Sequence, residues 1–158
     1  QKKLNLKVKF RESFRPFAPA ILLEDLNEWF DLDSESPYML LVGKVKEDKL
    51  IEQTPDQKSA KGLEKLNIIR SKIPAVTHVD NSARIQTVTA ENGIYYDLIK
   101  LFKKKTGCPV IVNTSFNVRG EPPVNTPVDA YKCFMATDLD ILVLGNCVME
   151  KQNQINFN

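Results

Sequence analysis

The sequence predicts an α+β domain of α/β type, in which a mixed β-sheet is flanked by helices. Short apolar runs bounded by polar turn residues indicate strands, as at Ala83–Val88 and Val110–Asn113. A longer segment, Ile94–Lys105, repeats its apolar residues with the period of a helix. Because strands and helices are interspersed and several strands are separated by hairpin-length turns, we expect one sheet with mixed pairing.

Composition and charge are those of a soluble globular protein. The chain has 158 residues, of which 42% are apolar and 27% charged, which suits one domain with its own core. A net charge of +2 argues against nucleic acid or a membrane surface as the main partner, and the apolar runs are too short to span a membrane. We expect a single domain over residues 1–151 and a frayed polar tail over 152–158.

The number and spacing of the cysteines indicate the redox state of the compartment in which the protein resides. Cys108, Cys133 and Cys147 form no CxxC pair and leave an odd thiol. Their number and spacing argue against a disulfide framework or a zinc site and favour a reducing, cytoplasmic compartment.

The first half of the chain contains weaker signals than the second. Leu4–Val8 fits a short helix and a strand equally well. The elements that we predict after it are a strand over Phe17–Leu23, a short helix over Glu24–Phe30, a polar loop over Asp31–Pro37, a strand over Tyr38–Lys46, a mobile loop between Glu47 and Gly62, and a helix over Leu63–Ile69.

The second half gives sharper signals. Ile94, Leu98, Leu101 and Phe102 follow a helical spacing, and Gly107 stands where a C-terminal cap belongs. The predicted elements are strands over Ala75–Val79 and Ala83–Val88 around a turn at Asp80–Ser82, the helix Ile94–Lys105, a strand over Val110–Asn113, a helix from the N-cap Thr126 through Met135, and strands over Ile141–Leu144 and Val148–Glu150.

A dense polar turn follows the strand that ends at Asn113. The segment reads PVIVNTSFNVRGEPP, and it places polar side chains at the carboxyl end of a strand, where α/β folds bind ligands. Its candidate ligand-binding residues are Asn113, Thr114, Ser115 and Asn117 for phosphate or carbonyl oxygens, Arg119 for an anion, and Gly120 for a close approach of the backbone. The alternative is a turn whose polar side chains satisfy their own backbone.

A basic segment near the start of the chain is a second candidate. If Lys7–Arg11 is extended, Lys7, Lys9 and Arg11 point to one face and favour an anion such as phosphate opposite them, with Arg15 close by. The alternative is a solvated basic edge strand that protects against aggregation.

The region around Thr77–Gln86 holds a third set of candidates. His78 is the only histidine, so acid–base chemistry near neutral pH would fall to it. The alternative is a structural hydrogen bond, which is the more common role of a single histidine at the end of a strand. Arg84 and Gln86 share one face of a strand, and Arg84 suits an anion ligand or a surface salt bridge.

Three blocks of the sequence, in this order, resemble the C-terminal domain of NodU/CmcH-type carbamoyltransferases. They read KFRESFRPFAPAIL, PAVTHVDNSARIQTV and VNTSFNVRGEPPVNTPVDAYKCFMATDLDILVLGN, and they are spread over residues 9–146 of the chain. The resemblance implies a YrdC-like fold, a twisted mixed sheet flanked by helices with a concave ligand surface. Lys9-Phe10-Arg11 resembles the KxR signature of that fold, and Ser115-Phe116-Asn117 resembles its SxN signature.

The resemblance implies that this domain binds ATP and carbamoyl phosphate and forms carbamoyl-adenylate. Mg²⁺ would accompany the nucleotide, with no metal site on the protein itself. Holding two anions together needs several cations, so Lys9, Arg11 and Arg84 are expected to be catalytic. The residues expected to bind substrate or nucleotide are Arg15, His78, Asn113, Thr114, Ser115, Asn117, Arg119 and Gly120.

In this family a larger, metal-binding N-terminal domain transfers the carbamoyl group to an acceptor hydroxyl. The chain begins at Gln1 and lacks both that domain and the arginine-rich block resembling GPRALGNRSIL, so we expect a fragment that folds but transfers no carbamoyl group. Two other functions stay open at this point. One is an RNA-binding module with a basic concave surface, and the other is a catalytically silent interaction domain.

Overall fold

The computed structural model describes residues 1–154. Residues 155–158, most of the predicted tail, lie outside the described part, and the predicted domain boundary at residue 151 stays a prediction. The chain forms two compact units. The larger unit runs from Pro16 to Thr114, and the smaller unit combines Gln1–Arg15 with the residues from Ser115 onward.

The larger unit is built on a five-stranded mixed sheet. Its strands are β1 (Ala18–Leu22), β2 (Phe30–Asp31), β3 (Leu41–Val45), β4 (Ser82–Val88) and β5 (Val110–Asn113). Their order in the sheet is β2-β3-β4-β1-β5. Strands β1 and β4 are parallel, and the other neighbouring strands are antiparallel. The sheet confirms the predicted fold class of strands in mixed pairing flanked by helices.

The sequence of each strand explains where it lies in the sheet. All five residues of β1 are buried, as expected for a strand with neighbours on both edges and packing on both faces. Along β4, Ala83 and Ile85 are buried whereas Arg84 between them is exposed, which is the alternation of a strand with one polar face.

Helix α4 (Ile94–Thr106) packs against this sheet and confirms the predicted helix. Gly107 ends it with φ of 77°, a left-handed conformation that glycine adopts without strain. The buried face of α4 differs from the apolar pattern, because Ile99 joins the sheet core, with Tyr95 and Tyr96 packed against it. The residues that set the predicted helical spacing are exposed instead, namely Ile94, Leu98, Leu101 and Phe102.

Short helical turns connect the strands of the larger unit. They are a 3₁₀ turn at Leu23–Asp25 that leads into α2 (Leu26–Trp29), a 3₁₀ turn at Glu47–Lys49, α3 (Pro55–Ser59), and 3₁₀ turns at Gly62–Asn67 and Ala90–Asn92. The predicted helix over Leu63–Ile69 is therefore a 3₁₀ helix that begins one residue earlier and ends two residues earlier. The segment predicted as a mobile loop contains a capped helix, since Thr54 and Gln57 form a capping box at the start of α3.

The predicted strand over Ala75–Val79 is wrong. The segment forms a turn in which the Val76 amide donates to the Ile73 carbonyl at 3.2 Å and the Thr77 hydroxyl donates to the same carbonyl at 3.0 Å. These local hydrogen bonds take the place of a strand ladder. The predicted turn that follows is present, with Asn81 in the left-handed region at φ of 64°.

The smaller unit begins with a short helix, α1 (Lys2–Leu4), that continues into a π-helical turn at Asn5–Lys9. Phe10 ends this turn with φ of 49°, and its amide donates to the Asn5 carbonyl. The extended arrangement considered for Lys7–Arg11 is therefore wrong, and the cations do not alternate as on a strand. Within this turn Lys9 is buried, whereas Lys7 is exposed.

The rest of the smaller unit follows the prediction closely. Helix α5 (Pro127–Met135) begins at the N-cap Thr126, which forms a capping box with Asp129. Strands β6 (Ile141–Leu144) and β7 (Cys147–Glu150) form an antiparallel hairpin, and a 3₁₀ turn at Lys151–Asn153 follows it. Within residues 1–154, no helix has the length and apolar character needed to cross a membrane.

Candidate functional site

Lys9 is the centre of the candidate site in the smaller unit. Its side chain is almost fully buried, with 5% of the residue exposed. The ammonium nitrogen donates to the Ser115 carbonyl at 2.7 Å, to the Asn117 carbonyl at 2.7 Å and to Asn117 Oδ1 at 2.6 Å. Because an ammonium group has three protons, these contacts use its whole donor capacity. Lys9 therefore fixes the polar turn in one conformation.

Hydrogen bonds within the polar turn stabilise its conformation further. The Ser115 hydroxyl donates to Asn117 Oδ1 at 2.7 Å, and Asn117 Nδ2 donates to the Glu121 carbonyl at 2.7 Å. Gly120 adopts φ of 85°, and a Cβ there would have no neighbour within 4 Å, so glycine serves the backbone conformation and not a tight fit. These contacts are those of a turn that satisfies its own polar groups. The ligand-binding roles of Ser115, Asn117 and Gly120 stay predictions.

Burial and mutual repulsion act on the cations of this site. Desolvation lowers the pKa of Lys9, and the neighbouring charge of Arg11 lowers it further. Desolvation also lowers the pKa of Arg11, with a further contribution from Arg15. Since each cation destabilises the charge of the next, an anion placed among them would be held favourably.

Asn5 organises the basic loop, although no pattern in the sequence indicated this role. Its fully buried amide donates to the Ser13 carbonyl at 3.1 Å and to the Arg15 carbonyl at 2.8 Å, and it accepts from Arg11 Nε at 2.7 Å. One amide thus joins the two arginines of the loop. The available signal was an asparagine between Leu4 and Leu6 in a segment of uncertain secondary structure.

Glu12 is the second residue that the sequence analysis missed. Its carboxylate lies 3.7 Å from Arg15 Nη1 and 3.7 Å from Arg119 Nη1. A hydrogen bond to its own backbone amide lowers the pKa of Glu12, and the positive charges of Arg119, Arg15 and Arg11 lower it further. A carboxylate that alternates with arginines in the segment FRESFR was the available signal. This acid joins Arg119 to the basic loop and leaves the cluster with a net positive charge.

The larger unit contains the other candidates. Arg84 is exposed on β4, and Gln86 lies two residues further along the same strand. Asn113 Nδ2 donates to Gln86 Oε1, and the two residues reach each other across β1, where Ala20 pairs with Gln86 and Ala18 pairs with Asn113. Thr114, partly buried, follows β5 directly. The small side chains of β1 allow this amide pair to form on the sheet.

His78 belongs to a hydrogen-bonded turn in the larger unit. Its Nδ1 lies 2.9 Å from the Ser82 hydroxyl, which donates to Asp80 Oδ1 at 2.6 Å. Because the serine proton is directed at the aspartate, His78 is not placed to remove it, and this is not a nucleophilic triad. The geometry fits the structural interpretation of His78, and a role in substrate binding stays a prediction.

Metal ligands do not cluster in the described part of the chain. Within residues 1–154, no group of three or more His, Cys, Asp or Glu side chains could hold a metal ion. A divalent cation that accompanies a bound nucleotide needs few protein ligands, because phosphate oxygens and water supply most of its coordination.

The fold and this site define an α+β domain in which Lys9 holds a polar turn, and Arg11, Arg15 and Arg119 bond to Asn5 or Glu12 of the adjoining basic loop. The chain belongs to the carbamoyltransferase C-terminus family, whose family model matches residues 1–151. This assignment confirms the resemblance seen in the sequence and supports a transferase role.

Individual relatives agree with the family assignment. The chain is 58% identical to an uncharacterized protein of Synechocystis sp. over 155 residues, which is 98% of this chain and 25% of the relative. It is 42% identical to nodulation protein NolNO of Sinorhizobium fredii over 95% of this chain and 20% of the relative. It is 34% identical to the 3′-hydroxymethylcephem-O-carbamoyltransferase of Streptomyces clavuligerus over 88% of this chain and 23% of that enzyme. The chain thus spans a quarter or less of the length of these curated relatives.

Proposed function

We propose that this domain binds ATP and carbamoyl phosphate and forms carbamoyl-adenylate for O-carbamoylation of a small-molecule acceptor. The observation that carries the proposal is the Lys9-braced turn at Ser115–Asn117, with Arg11, Arg15 and Arg119 joined to it through Asn5 and Glu12. Phosphate groups are suitable ligands for such a cluster, because guanidinium groups bind them with paired hydrogen bonds.

The residues take different parts in this proposal. Arg11, Arg15 and Arg119 neutralise the phosphate charges, which would otherwise keep two anionic substrates apart. Lys9 acts mainly by holding the turn, since its protons are already donated to Ser115 and Asn117. Arg84, exposed on β4 of the larger unit, remains a proposed phosphate ligand.

The atom balance of the reaction requires one water molecule. Water cleaves carbamoyl phosphate to inorganic phosphate and carbamate, and a carbamate oxygen then attacks the α-phosphorus of ATP. The bond from the α-phosphorus to the bridging oxygen breaks, pyrophosphate leaves, and a mixed anhydride of carbamate and AMP remains. No covalent bond to the protein is needed, so the cluster acts by positioning and by electrostatic stabilisation. Mg²⁺ bound to the nucleotide would supply further charge neutralisation.

In this proposal a different domain transfers the carbamoyl group to the acceptor. The Streptomyces relative is named as an O-carbamoyltransferase, and the present chain covers 23% of it. We infer that a metal-binding N-terminal domain of the full-length protein receives carbamoyl-adenylate and transfers the carbamoyl group to a hydroxyl. The identity of that acceptor is then a property of the other domain.

The test is calorimetric binding of Mg-ATP and of carbamoyl phosphate to the chain, together with release of pyrophosphate and phosphate. Arg119→Ala and Asn117→Ala should each weaken binding by about tenfold or more, because a charged or orienting contact is lost. Lys7→Ala is the matched control, since Lys7 is exposed and pairs with Asp138 outside the cluster.

The outcomes separate the competing functions. Binding of both ligands with loss in Arg119→Ala but not in Lys7→Ala supports the proposal. Binding of neither ligand overturns it and favours a silent interaction domain. Binding of RNA with a steep salt dependence, without binding of ATP, overturns it in favour of a nucleic-acid module.

A further inference from the structure

Helix α4 carries an apolar stripe on the side that faces away from the sheet. The stripe consists of Ile94, Leu98 and Leu101, of which 87%, 56% and 51% is exposed. The opposite side of the helix carries Ile99, which is fully buried against the sheet. A helix that buries one side and leaves a second apolar side in water is typical of an interaction surface.

Two opposite charges border this stripe along the same edge. Asp97 and Lys104 are seven residues apart, so both lie on the same side of the three apolar residues. Neither forms an ion pair with another residue in the described part of the chain. The acidic end of this edge is at the start of the helix, and the basic end is near its C-terminus.

This order of charges is self-complementary when two such helices run antiparallel. We propose that α4 is a homodimer interface, in which a second copy of this chain packs its own α4 against the stripe around a two-fold axis. Leu98 of one copy then lies against Leu101 of the other, and Asp97 of each copy lies near Lys104 of the other. A parallel two-fold pair would instead set this charged edge against the opposite edge of the partner helix, so Asp97 and Lys104 would not meet each other.

A groove beside the helix gives room for the partner. It has a volume of about 550 Å³, and its lining combines Leu22, Leu101 and Gly107 with charged residues that include Asp97 and Lys104. In the antiparallel pair, Ile94 of the second copy lies at the Leu101–Gly107 end of this groove. Because the axis is two-fold, this contact occurs twice, so that Ile94 of each copy lies in the groove of the other.

The size of the surface sets the expected strength of the dimer. Helix α4 has 13 residues and is therefore about 20 Å long, which is short for a stable interface. Small interfaces of this kind give weak, concentration-dependent dimers, so we expect a dissociation constant on the order of 10–100 μM.

The experiment is sedimentation equilibrium of the chain over a range of concentrations, with three variants of α4. Leu98→Glu should raise the dissociation constant at least about tenfold by placing a charge in the apolar seam. Asp97→Lys and Lys104→Asp should each raise it about three- to tenfold, because each creates two like-charge pairs. The double variant Asp97→Lys/Lys104→Asp restores both pairs and should return to within about twofold of the original value.

The double variant also separates the interface from helix stability. Each reversal opposes the helix dipole, so an effect on folding alone would add in the double variant and would not cancel. The matched control is Asp56→Lys/Lys61→Asp, which exchanges two exposed charges on and beside α3. Recovery of the original dissociation constant in the α4 double variant supports the proposal.

Two results overturn it. One is a monomer at every concentration, and the other is a dimer whose dissociation constant is the same in all these variants. In either case the stripe would bind a different partner. The inference is independent of ATP binding.

Discussion

The ammonium nitrogen of Lys9 lies 2.6 Å from Oδ1 of Asn117, across a sequence separation of 108 residues. This contact joins the π-helical turn at Asn5–Lys9 to the polar turn that follows β5. Both residues are held by further bonds, since Lys9 also donates to two carbonyls and Asn117 also donates to one. The two signatures of the candidate site are therefore one hydrogen-bonded unit.

Replacement of Lys9 by methionine should destabilise this unit. Lys9→Met keeps the length of the side chain but leaves the Ser115 and Asn117 carbonyls without their donor, so the free energy of unfolding should fall by about 1–3 kcal/mol. Asn117 Oδ1 keeps the hydrogen bond from the Ser115 hydroxyl. Urea unfolding of Lys9→Met, Asn117→Ala and the double variant measures the coupling between the two sites. We expect a coupling of about 1 kcal/mol.

Lys7→Met is the control for that cycle, because Lys7 is exposed and its substitution should change stability by no more than about 0.5 kcal/mol. Strictly additive effects of Lys9→Met and Asn117→Ala would show that the contact between them contributes nothing.

Asn5 should be as sensitive as Lys9, although it has no charge. Asn5→Ala leaves the Ser13 and Arg15 carbonyls and Arg11 Nε without this partner, so we expect a loss of about 1–3 kcal/mol in the free energy of unfolding. Asn5→Asp keeps an acceptor for Arg11 but directs a carboxylate oxygen at the two carbonyls, so it should be at least as destabilising as Asn5→Ala.

Asn153→Ala, at an exposed asparagine near the end of the described chain, provides the control for Asn5. A stability loss in Asn5→Ala no larger than in Asn153→Ala would contradict the role of the buried amide.

The sequence predicted elements that local chemistry determines. The helix that ends at Gly107, the strand before Asn113 and the helix capped by Thr126 are all present, since capping residues and apolar periods act within a few residues. The π-helical turn at Asn5–Lys9 was not predictable in this way. It depends on hydrogen bonds from the Asn5 side chain to residues eight and ten positions later.

The exposed stripe of α4 is a second feature that could not be predicted from the sequence. Ile94, Leu98 and Leu101 have the spacing of a core-facing helix, yet the sheet packs on the side that holds Ile99. A periodic pattern identifies an apolar side, but tertiary packing decides which side the domain buries. Likewise the contact of Lys9 with Asn117 joins distant segments. Residue types indicated each segment separately, and only the resemblance to a family linked the two.

The capping boxes at the starts of α3 and α5 offer a matched pair of substitutions. Thr54 and Thr126 each precede a proline and each accepts a hydrogen bond from the third residue of its helix. Thr126→Ala should lower the free energy of unfolding by about 1 kcal/mol, because α5 buries Ala130, Cys133 and Phe134 and its unfolding disrupts the core. Helix α3 buries no residue, so Thr54→Ala should fray it with a smaller effect on global unfolding.

Denaturant unfolding together with amide hydrogen exchange distinguishes these effects. Exchange should increase locally in α3 for Thr54→Ala, whereas Thr126→Ala should shift the unfolding midpoint. Equal shifts of the midpoint in both variants would contradict the link between burial of a helix and the global effect of its cap.

Asp80 should make the stability of the protein depend on acid pH. The Ser82 hydroxyl and the Lys44 ammonium group hydrogen-bond its carboxylate at 2.6 and 3.0 Å, and they hold the pKa of Asp80 well below its ordinary value. Since the pKa in the folded state is lower than in the unfolded state, the ionised carboxylate stabilises the fold above the unfolded value of about 3.9. That contribution is lost as the pH falls through the depressed value.

Asp80→Asn removes this dependence because an amide does not titrate. The difference in the free energy of unfolding between the wild type and Asp80→Asn should be constant from about pH 7 to pH 5 and should decrease below about pH 4, as other carboxylates cancel in the difference. Lys44→Met removes one of the two partners and should reduce the same difference in part. Urea unfolding at a series of pH values measures both. A difference that stays constant, or grows, as the pH falls below 4 would contradict the stabilisation of ionised Asp80 by Ser82 and Lys44.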